Sequence, residues 1–454
     1  MPQSGLIVWA RRLLLILAVV GLAVGCVAPK PAAVVPSAWL TPQPTSGPSP
    51  ISPAPTLEAS PTSTPISVPQ HRIGIRVEDG VGEFYDRLTG DRFVPRGFNY
   101  VHIAPMSSSD PNMWHSTLNP GFYDPLEADR ALAHMQAAGY NTVRVFVDCC
   151  RTGNNVGSPA GGVAQAYMEN MVDFLDRAAA HQIFVLLEVD GTPADGGYGE
   201  LWRSCCEDFE DTNIRYLTRG GFSAKRRSLQ DIVQGLIDRG ARTDVVLSYG
   251  LTNEVFFTAN TAPLSKNAGR VTTANGKTYD LSNPAEKQLM MDENLVLWVD
   301  EMRDAILDID PTALVNPSFF EPQSPNPTRR GDPRVIRTFL VIWQSKADFI
   351  DLHAYPGASL TLKGYVENYE INGMSEKPIL MGEFGAFKWR YPSAEQAAAA
   401  LKSWQIESCR YGFDGWLLWT YDAQNQTELW NGMSGDGVIH AALSPASRPD
   451  PCLP

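Results

Sequence analysis

Eight short apolar runs recur between residues 94 and 419, and segments with helical periodicity separate them. This alternation constrains the fold, because strands that alternate with helices build a parallel sheet, and eight such repeats close a barrel. The sequence therefore predicts an α/β protein with one (β/α)8 TIM barrel. The strand candidates are residues 94–99, 142–147, 183–189, 245–251, 313–316, 349–353, 379–383 and 415–419. The helix candidates include residues 128–138, 167–180, 228–237, 294–307 and 394–408.

Two turn signals predict β-hairpins outside the barrel strands. The first hairpin covers residues 83–93 and turns around Thr89 and Gly90. The second lies in the long segment after the fourth strand, covers residues 271–279 and turns at Asn275 and Gly276. An Asn-Gly pair is a strong signal for a two-residue hairpin turn.

The first 70 residues have a different composition. Arg11 and Arg12 precede an apolar run over residues 13–24, which is too short to span a bilayer and is typical of a signal peptide. The run ends in LAVGC, which resembles a bacterial lipobox, so we predict a lipoprotein signal over residues 1–25 and lipidation of Cys26. The alternative is an ordinary secretory signal. Residues 26–70 are rich in Pro, Ser and Thr, which predicts an unfolded linker.

An anchor followed by a linker predicts an extracellular or cell-surface protein that a lipid holds to the bacterial cell membrane. Export permits disulfides. Six cysteines remain after Cys26, and their connectivity is open. The two adjacent pairs could bond to each other, and the last two cysteines could bond together. The six are Cys149, Cys150, Cys205, Cys206, Cys409 and Cys452.

The charge and the motifs exclude several classes of partner. A net charge of -13 lacks the basic face that nucleic-acid binding needs, so we expect no nucleic-acid partner. The sequence has no Cys-x-x-Cys motif, no pair of His residues four positions apart and no nucleotide-binding glycine motif. We therefore expect no metal and no organic cofactor. We expect the protein to be a monomer.

Two carboxylates stand at the C-terminal ends of predicted strands, which is where barrels carry their sites. Glu254 follows the fourth strand and Glu383 ends the seventh, so the two would face each other across the barrel mouth. Cleavage of a glycosidic bond by the retaining route needs an acid and a nucleophilic carboxylate about 5–5.5 Å apart. We expect Phe256 and Phe257 to raise the pKa of Glu254, the acid. Arg144 would keep Glu383, the nucleophile, charged.

Several stretches around these residues resemble glycoside hydrolase family 5, the cellulase and β-mannanase family among the clan A retaining enzymes. They are PRGFNY at 95–100, NTVR at 141–144, Asn253-Glu254, FIDLHAYP at 349–356 and GWLLW at 415–419. The resemblance covers roughly residues 80 to 422. It implies a catalytic domain over residues 71–454 that hydrolyses β-linked glucan or mannan by double displacement.

The resemblance also implies roles for individual residues. Asn253 would bind the 2-hydroxyl of the sugar, and Tyr355 would hydrogen-bond the nucleophile. Trp419 would form the floor of the sugar site. Arg144 and His353 correspond to residues that the family uses beside the substrate.

Further candidates come from the strand ends themselves. Tyr100 and His102, just after the first strand, are candidate substrate-binding residues, and Asp148 and Asp190 are acids at the rim. One departure concerns the end of the third strand, where many family members have a His and this chain has Glu188 to Gly191. This departure leaves the subfamily and the substrate open.

Each assignment has a structural alternative. Arg144 could be a structural ion-pair partner of Asp148 or of another acid, His353 could be a buried core histidine, and Trp419 could belong to the barrel core. The alternative for the whole protein is a non-catalytic carbohydrate-binding lipoprotein on the same barrel. The presence of both Glu254 and Glu383 argues against that alternative.

Overall fold

The computed structural model describes residues 70–105, 113–151, 154–203, 206–320, 334–357 and 360–453. Cys26, the predicted signal peptide and all of the predicted linker except Gln70 lie outside these residues. Cys205 lies outside them as well.

The strands, in chain order, are β1 (Ile73–Glu78), β2 (Val81–Asp86), β3 (Arg96–Asn99), β4 (Ile103–Pro105), β5 (Met113–His115), β6 (Thr142–Val147), β7 (Phe184–Val189), β8 (Val246–Gly250), β9 (Phe257–Thr258), β10 (Arg270–Thr272), β11 (Thr278–Asp280), β12 (Val315–Asn316), β13 (Ser318–Phe319), β14 (Arg334–Val335), β15 (Ile350–Ala354), β16 (Ile379–Phe384), β17 (Ala386–Phe387), β18 (Phe413–Leu418) and β19 (Leu429–Trp430). The helices are α1 (Pro125–Ala137), α2 (Gln165–Ala180), α3 (Tyr198–Arg203), α4 (Thr212–Leu217), α5 (Arg219–Asp238), α6 (Pro284–Leu307), α7 (Phe339–Gln344), α8 (Leu362–Tyr369), α9 (Ala394–Ser408) and α10 (Ser434–Leu443).

Nine of these strands form one parallel sheet in the order β12-β8-β7-β6-β3-β18-β16-β15-β13. The sheet contains all eight predicted strands, because the fifth is divided at Pro317. The piece before Pro317 pairs with β8 and the piece after it pairs with β15, so the two edges of the sheet are halves of one strand. Proline has no N–H to donate to a ladder, which explains the interruption. The ring is nearly closed, and the predicted barrel is confirmed.

The barrel strands and helices bury the residues that the sequence pattern predicts. Every residue of β6 and β7 is buried, as expected for parallel strands that helices cover. Helix α2 buries Met168, Met171 and Leu175, which lie on one face at helical spacing. Within the described ranges, no helix has both the length and the apolar character that a membrane crossing requires.

Both predicted hairpins form. The hairpin over β10 and β11 has Gly276 at a positive φ in its turn. The short hairpin around Thr89 and Gly90 is held by an antiparallel bridge between Tyr85 and Arg92, and the N–H of Phe93 donates to the carbonyl oxygen of Phe84 at 2.8 Å. Strand β2 also pairs with β1, which the sequence analysis did not predict. An Asp79-Gly80 turn joins β1 and β2, and both turn residues have the positive φ of a tight hairpin.

Both ends of the described chain lie against the N-terminal ends of the barrel strands. The ring of His71 is buried, with Nδ1 2.8 Å from the carbonyl oxygen of Val246 and Nε2 2.7 Å from Asp310. Val246 is the first residue of β8. At the other end, the guanidinium of Arg96, the first residue of β3, donates to the carbonyl oxygen of Arg448 at 2.6 Å. The chain therefore enters and leaves at the face opposite the strand ends that carry Glu254 and Glu383.

The cysteines are only partly as predicted. Cys409 bonds to Cys452, which confirms that pairing. The sulfur of Cys149 bonds to that of its neighbour Cys150, so the prediction that Cys149 and Cys150 bond to Cys205 and Cys206 is wrong. The sulfur of Cys149 is turned inward against Gly191, where an added Cβ would lie 2.5 Å from it.

We expect the Cys409–Cys452 disulfide to stabilise the fold by restricting the unfolded chain. The bond spans 43 positions, so replacing both cysteines by Ser should lower the free energy of unfolding by about 2–4 kcal/mol. Urea unfolding without reductant measures the difference. Coincident unfolding curves of the variant and the wild type would contradict the prediction.

Candidate active site

The C-terminal ends of the barrel strands bring together five predicted residues. Arg144 lies in β6, Asn253 and Glu254 follow β8, His353 lies in β15 and Glu383 lies in β16. These strands are separated in sequence by up to 239 positions, and direct side-chain contacts connect them. The sequence-based placement of these five residues around one site therefore agrees with the structure.

Arg144 is the centre of this network and is fully buried. Its Nη1 donates to Glu383 Oε1 at 2.8 Å and to Asn99 Oδ1 at 3.1 Å. Its Nη2 donates to Glu188 Oε2 at 2.9 Å and to Asn253 Oδ1 at 2.7 Å. One guanidinium thus holds side chains from β3, β7 and β16 and from the segment after β8. In the part of the chain that the structure describes, no ion pair joins Arg144 to Asp148, but Arg144 does pair with another buried acid, Glu188.

Glu383 is almost fully buried and has a donor at each carboxylate oxygen. Oε1 accepts from Arg144, and Oε2 accepts from the hydroxyl of Tyr355 at 2.7 Å. The Nδ1 atom of His353 lies 3.4 Å from the same Oε2. Two fixed donors leave the carboxylate one orientation, which suits a group that must attack along a defined direction.

Glu254 is held differently. Its backbone has a φ of 47°, in the left-handed region that non-glycine residues rarely adopt. Its N–H donates to the hydroxyl of Ser318 at 3.1 Å, and its Oε1 lies 3.0 Å from Nδ1 of His353. The side chain of Glu254 is 27% exposed, whereas that of Glu383 is 5% exposed. Glu254 therefore faces the opening of the site.

His353 stands between the two carboxylates. One oxygen of Glu254, one oxygen of Glu383 and a ring nitrogen of His353 all lie within 4.8 Å of one another. Burial acts to lower the pKa of His353, but the charge of Glu383 and the hydrogen bond to Glu254 raise it above its usual value. The two neighbouring carboxylates thus favour the charged form of the imidazole.

The pKa values of the two glutamates differ in the sense opposite to the sequence-based prediction. Burial acts to raise the pKa of Glu254, but the hydrogen bond and the charge of His353 bring it below its usual value. Burial raises the pKa of Glu383, against the charges of His353 and Arg144. The prediction that Phe256 and Phe257 raise the pKa of Glu254 is therefore wrong for the substrate-free protein.

The two phenylalanines have other neighbours. Phe256 lies beneath the guanidinium of Arg334, 5.9 Å from its ring centre. Phe257 belongs to β9, and its backbone pairs with Val335 of β14. Proximity in sequence to Glu254 therefore did not predict the environment of its carboxyl group, which His353 dominates from 99 positions away.

Two further buried carboxylates surround Arg144, and the sequence reasoning did not assign them a role. Glu188 pairs with Arg144, and Asp351 lies 3.6 Å from its Nε. Burial raises the pKa of Glu188 to about 7 and also raises the pKa of Asp351. The available signal was an acid within each of two buried strands, FVLLEV and IDLHA. A charge there is costly unless it is paired.

Two glycines make room for these acids. A Cβ on Gly382 would lie 1.8 Å from Asp351 Oδ1, and one on Gly250 would lie 2.3 Å from Glu188 Oε2. Neither position can therefore hold a side chain while the acid beside it keeps its place.

Trp419 lies at the end of β18 and is 6% exposed. Its ring packs edge-on against Phe146, with centroids 5.8 Å apart, and its N–H donates to Gln426. Tyr355 belongs to the same small cluster of apolar side chains. Trp419 therefore lines the barrel mouth beside Tyr355, and most of its surface is used in packing.

The first-strand candidates lie apart from the two glutamates. Tyr100 is buried, stacks on Phe174 of α2 and contacts the ring of His102 at 5.0 Å. Donor atoms of His102, Glu127 and Asp422 lie within 4.8 Å of one another in a separate cluster. Tyr100 and His102 therefore join the first strand to its flanking helices in the substrate-free structure.

The two rim acids have structural partners. Asp148 is buried and accepts from Asn119 at 2.7 Å and from the N–H of Cys150 at 2.8 Å. Burial raises the pKa of Asp148 to about 6. Asp190 accepts from the N–H of Asn253 at 3.4 Å, so it helps to position that residue. Asp148 orders the loop after β6.

A third group of donor atoms within 4.8 Å comprises Asp148, Cys149 and Cys150. The cysteine sulfurs of this group contact each other, and Asp148 already accepts two hydrogen bonds. In the group of Glu254, His353 and Glu383, the ring nitrogen that would bind a metal lies between the two carboxylates.

A ring of alternating strands and helices with a glutamate after β8 and another in β16 defines a class of (β/α)8 hydrolases. The family model for cellulase, glycosyl hydrolase family 5, matches residues 101–425, which is more than half of the chain. The chain belongs to glycosyl hydrolase family 5 and is a glycoside hydrolase. No curated protein matches the chain.

Several solved structures have a similar fold. The endo-1,4-β-mannanase from Rhizomucor miehei is similar with a TM-score of 0.57 and 13% identity, over 83% of this chain and 99% of that one. The exo-β-1,4-mannosidase Op5Man5 from Opitutaceae bacterium strain TAV5 has a TM-score of 0.53 and 18% identity, over 84% and 63%. The β-mannanase from the blue mussel Mytilus edulis has a TM-score of 0.50 and 14% identity, over 84% and 98%. At these identities the likeness shows the fold.

We expect His353→Asn to move the pH profile of hydrolysis to higher pH. The imidazolium lowers the pKa of Glu254 and acts to lower that of Glu383, so both carboxyls should hold protons to higher pH without it. In a plot of kcat/KM against pH for soluble mannan or β-glucan, whose leaving group needs the acid, both limbs should move to higher pH. His181→Asn, at a partly exposed histidine paired with Asp129, is the control. A profile that stays in place or moves to lower pH would refute the prediction.

Proposed function

We propose that this enzyme cleaves β-linked glucan or mannan by double displacement, with retention of configuration at the anomeric carbon. The observation that carries the proposal is the approach of the two carboxylates, whose nearest oxygens lie within 4.8 Å of each other. Retaining glycosidases place their carboxyl groups about 5–5.5 Å apart, whereas inverting enzymes leave about 6.5–9.5 Å for a water molecule.

Glu383 is proposed as the nucleophile. Arg144 and Tyr355 fix its two oxygens, so one of them can attack the anomeric carbon without reorientation. The bond between that carbon and the leaving oxygen breaks as the new ester bond forms. The guanidinium stays charged throughout and keeps the carboxylate oriented.

Glu254 is proposed as the acid and then the base. It would give its proton to the leaving oxygen in the first step and take a proton from the attacking water in the second. Its 27% exposure supports this role, because the group must exchange protons with water once in each cycle. Burial acts to raise the pKa of Glu254, but His353 holds it below its usual value, and the ring of His353, 3.0 Å from Oε1, is also the nearest source of the proton that the acid needs.

Asn253 is proposed to bind the 2-hydroxyl of the sugar. Its Oδ1 accepts from Arg144, which leaves the Nδ2 group as the end that can donate to a ligand. The backbone N–H of Asn253 also contacts Asp190. These two contacts hold the amide in one orientation beside the nucleophile.

The substrate class is inferred from the relatives. The matched family is named for cellulase, and the similar solved structures are β-mannanases and a β-1,4-mannosidase. The alternative is a carbohydrate-binding protein without catalysis. Such a protein would not need the hydrogen bonds that orient the carboxylates of Glu254 and Glu383. A panel of β-glucans, mannans and aryl β-glycosides tests the proposal, with the first product anomer followed by NMR. Release of the inverted anomer first would refute retention.

We expect Glu383→Gln and Glu254→Gln to affect catalysis differently. Glu383→Gln should lower kcat about 10⁴-fold or more on every substrate, because the nucleophile is lost. Glu254→Gln should lower kcat/KM about 10²–10⁴-fold on natural glycans but much less on an aryl glycoside with a good leaving group, which needs no acid. Equal losses of Glu254→Gln on both substrates would reject the acid role.

We also propose that the enzyme is tethered outside the cell through a lipid on Cys26. The proposal is supported by the signal-like run before Cys26 and by the Pro-rich segment after it. A Cys26→Ala variant expressed in a bacterial host should move from the membrane fraction to the soluble exported fraction. Retention of Cys26→Ala in the membrane fraction would show that another feature holds the protein there.

A further inference from the structure

Three aromatic side chains lead from the nucleophile toward the surface, and we call Tyr355, Phe387 and Trp389 the aromatic row. The hydroxyl of Tyr355 lies 2.7 Å from Glu383 Oε2. The ring centres of Tyr355 and Phe387 are 5.9 Å apart, and those of Phe387 and Trp389 are 5.6 Å apart. Each step is close to the length of one sugar ring in an extended β-linked chain.

The outer part of the aromatic row stands on a braced turn. Strand β17 pairs with β19, and the N–H of Lys388 donates to the carbonyl oxygen of Glu428 at 2.9 Å. The N–H groups of Arg390 and Tyr391 donate back to the carbonyl oxygen of Phe387, which closes the turn around Trp389. The backbone that carries Trp389 is therefore held in place on both sides of the residue.

The exposure of Trp389 calls for an explanation. Its side chain is 57% exposed, although tryptophan usually buries most of its surface. Trp343, which is 41% exposed, is the useful comparison. Its N–H donates to the carbonyl oxygen of Glu370 and its ring contacts Phe339, so it caps a helix junction. Trp389 instead continues a series of rings that begins at the catalytic carboxylate.

We propose that Phe387 and Trp389 bind further sugar units of a β-linked polysaccharide, so that the enzyme acts on long chains. This inference rests on the proposed function and deepens it. Sugars in extended β-linked chains expose flat C–H faces, and aromatic rings provide the matching apolar surface. A ligand that fills only the sugar sites beside Glu383 would not reach Trp389.

The test compares Trp389→Ala with Trp343→Ala on two substrates. Trp389→Ala should lower kcat/KM about threefold to tenfold on soluble mannan or β-glucan, mainly through a higher KM, which is the size of effect expected for one aromatic contact. It should change kcat/KM on an aryl β-glycoside by less than about twofold. Trp389→Phe should recover part of the loss. Trp343→Ala should leave kcat/KM unchanged on both substrates.

Each other outcome has a definite meaning. Equal losses of Trp389→Ala on polymer and on aryl glycoside would overturn the proposal, because they indicate damage to the turn and not loss of a sugar contact. Unchanged kinetics on both substrates would also overturn it. If wild-type protein hydrolyses no glycan, the proposed function fails. In that case, gel retardation of Trp389→Ala and wild type in soluble mannan and β-glucan still tests the aromatic row, and equal mobility refutes it.

Discussion

The arrangement of the strand ends depends on one buried cation, the guanidinium of Arg144. It donates to partners from four separate parts of the ring and lies beside three carboxylates. Taking such a charge out of water costs several kcal/mol, which only close partners offset. The acids around it face the same cost, and burial raises the pKa of each of them. Removal of Arg144 would therefore leave buried carboxylates without a cation, and removal of a carboxylate would leave Arg144 with fewer partners.

Much of the barrel could be predicted from the sequence, because strand and helix periods are local properties. The sixth and seventh barrel strands, β15 and β16, begin and end within one residue of prediction. The sequence shows Pro317 but did not predict that the fifth barrel strand is divided there. The division depends on the two strands, β8 and β15, that pair with its two pieces when the ring closes. The Asp79-Gly80 turn was missed although its sequence signal is a local one.

The side chains that meet at the candidate site could be predicted from the sequence, but their pKa values could not. Residues at the ends of barrel strands share a face by topology, so Glu254, Glu383 and Arg144 could be grouped in advance. The direction of the pKa shift of Glu254 could not be predicted, because the neighbour that lowers this pKa, His353, is distant in sequence. Likewise, the role of Glu188 and Asp351 as partners of Arg144 could not be predicted, because it depends on which face of each strand points inward. The need for glycine at positions 250 and 382 follows only from the positions of these acids, which a Cβ there would contact.

The burial of His71 at the beginning of β8 and the docking of the chain terminus on Arg96 have a geometric consequence. The described chain begins and ends at the face of the barrel away from Glu383, so neither of its described ends stands in the approach to the two glutamates.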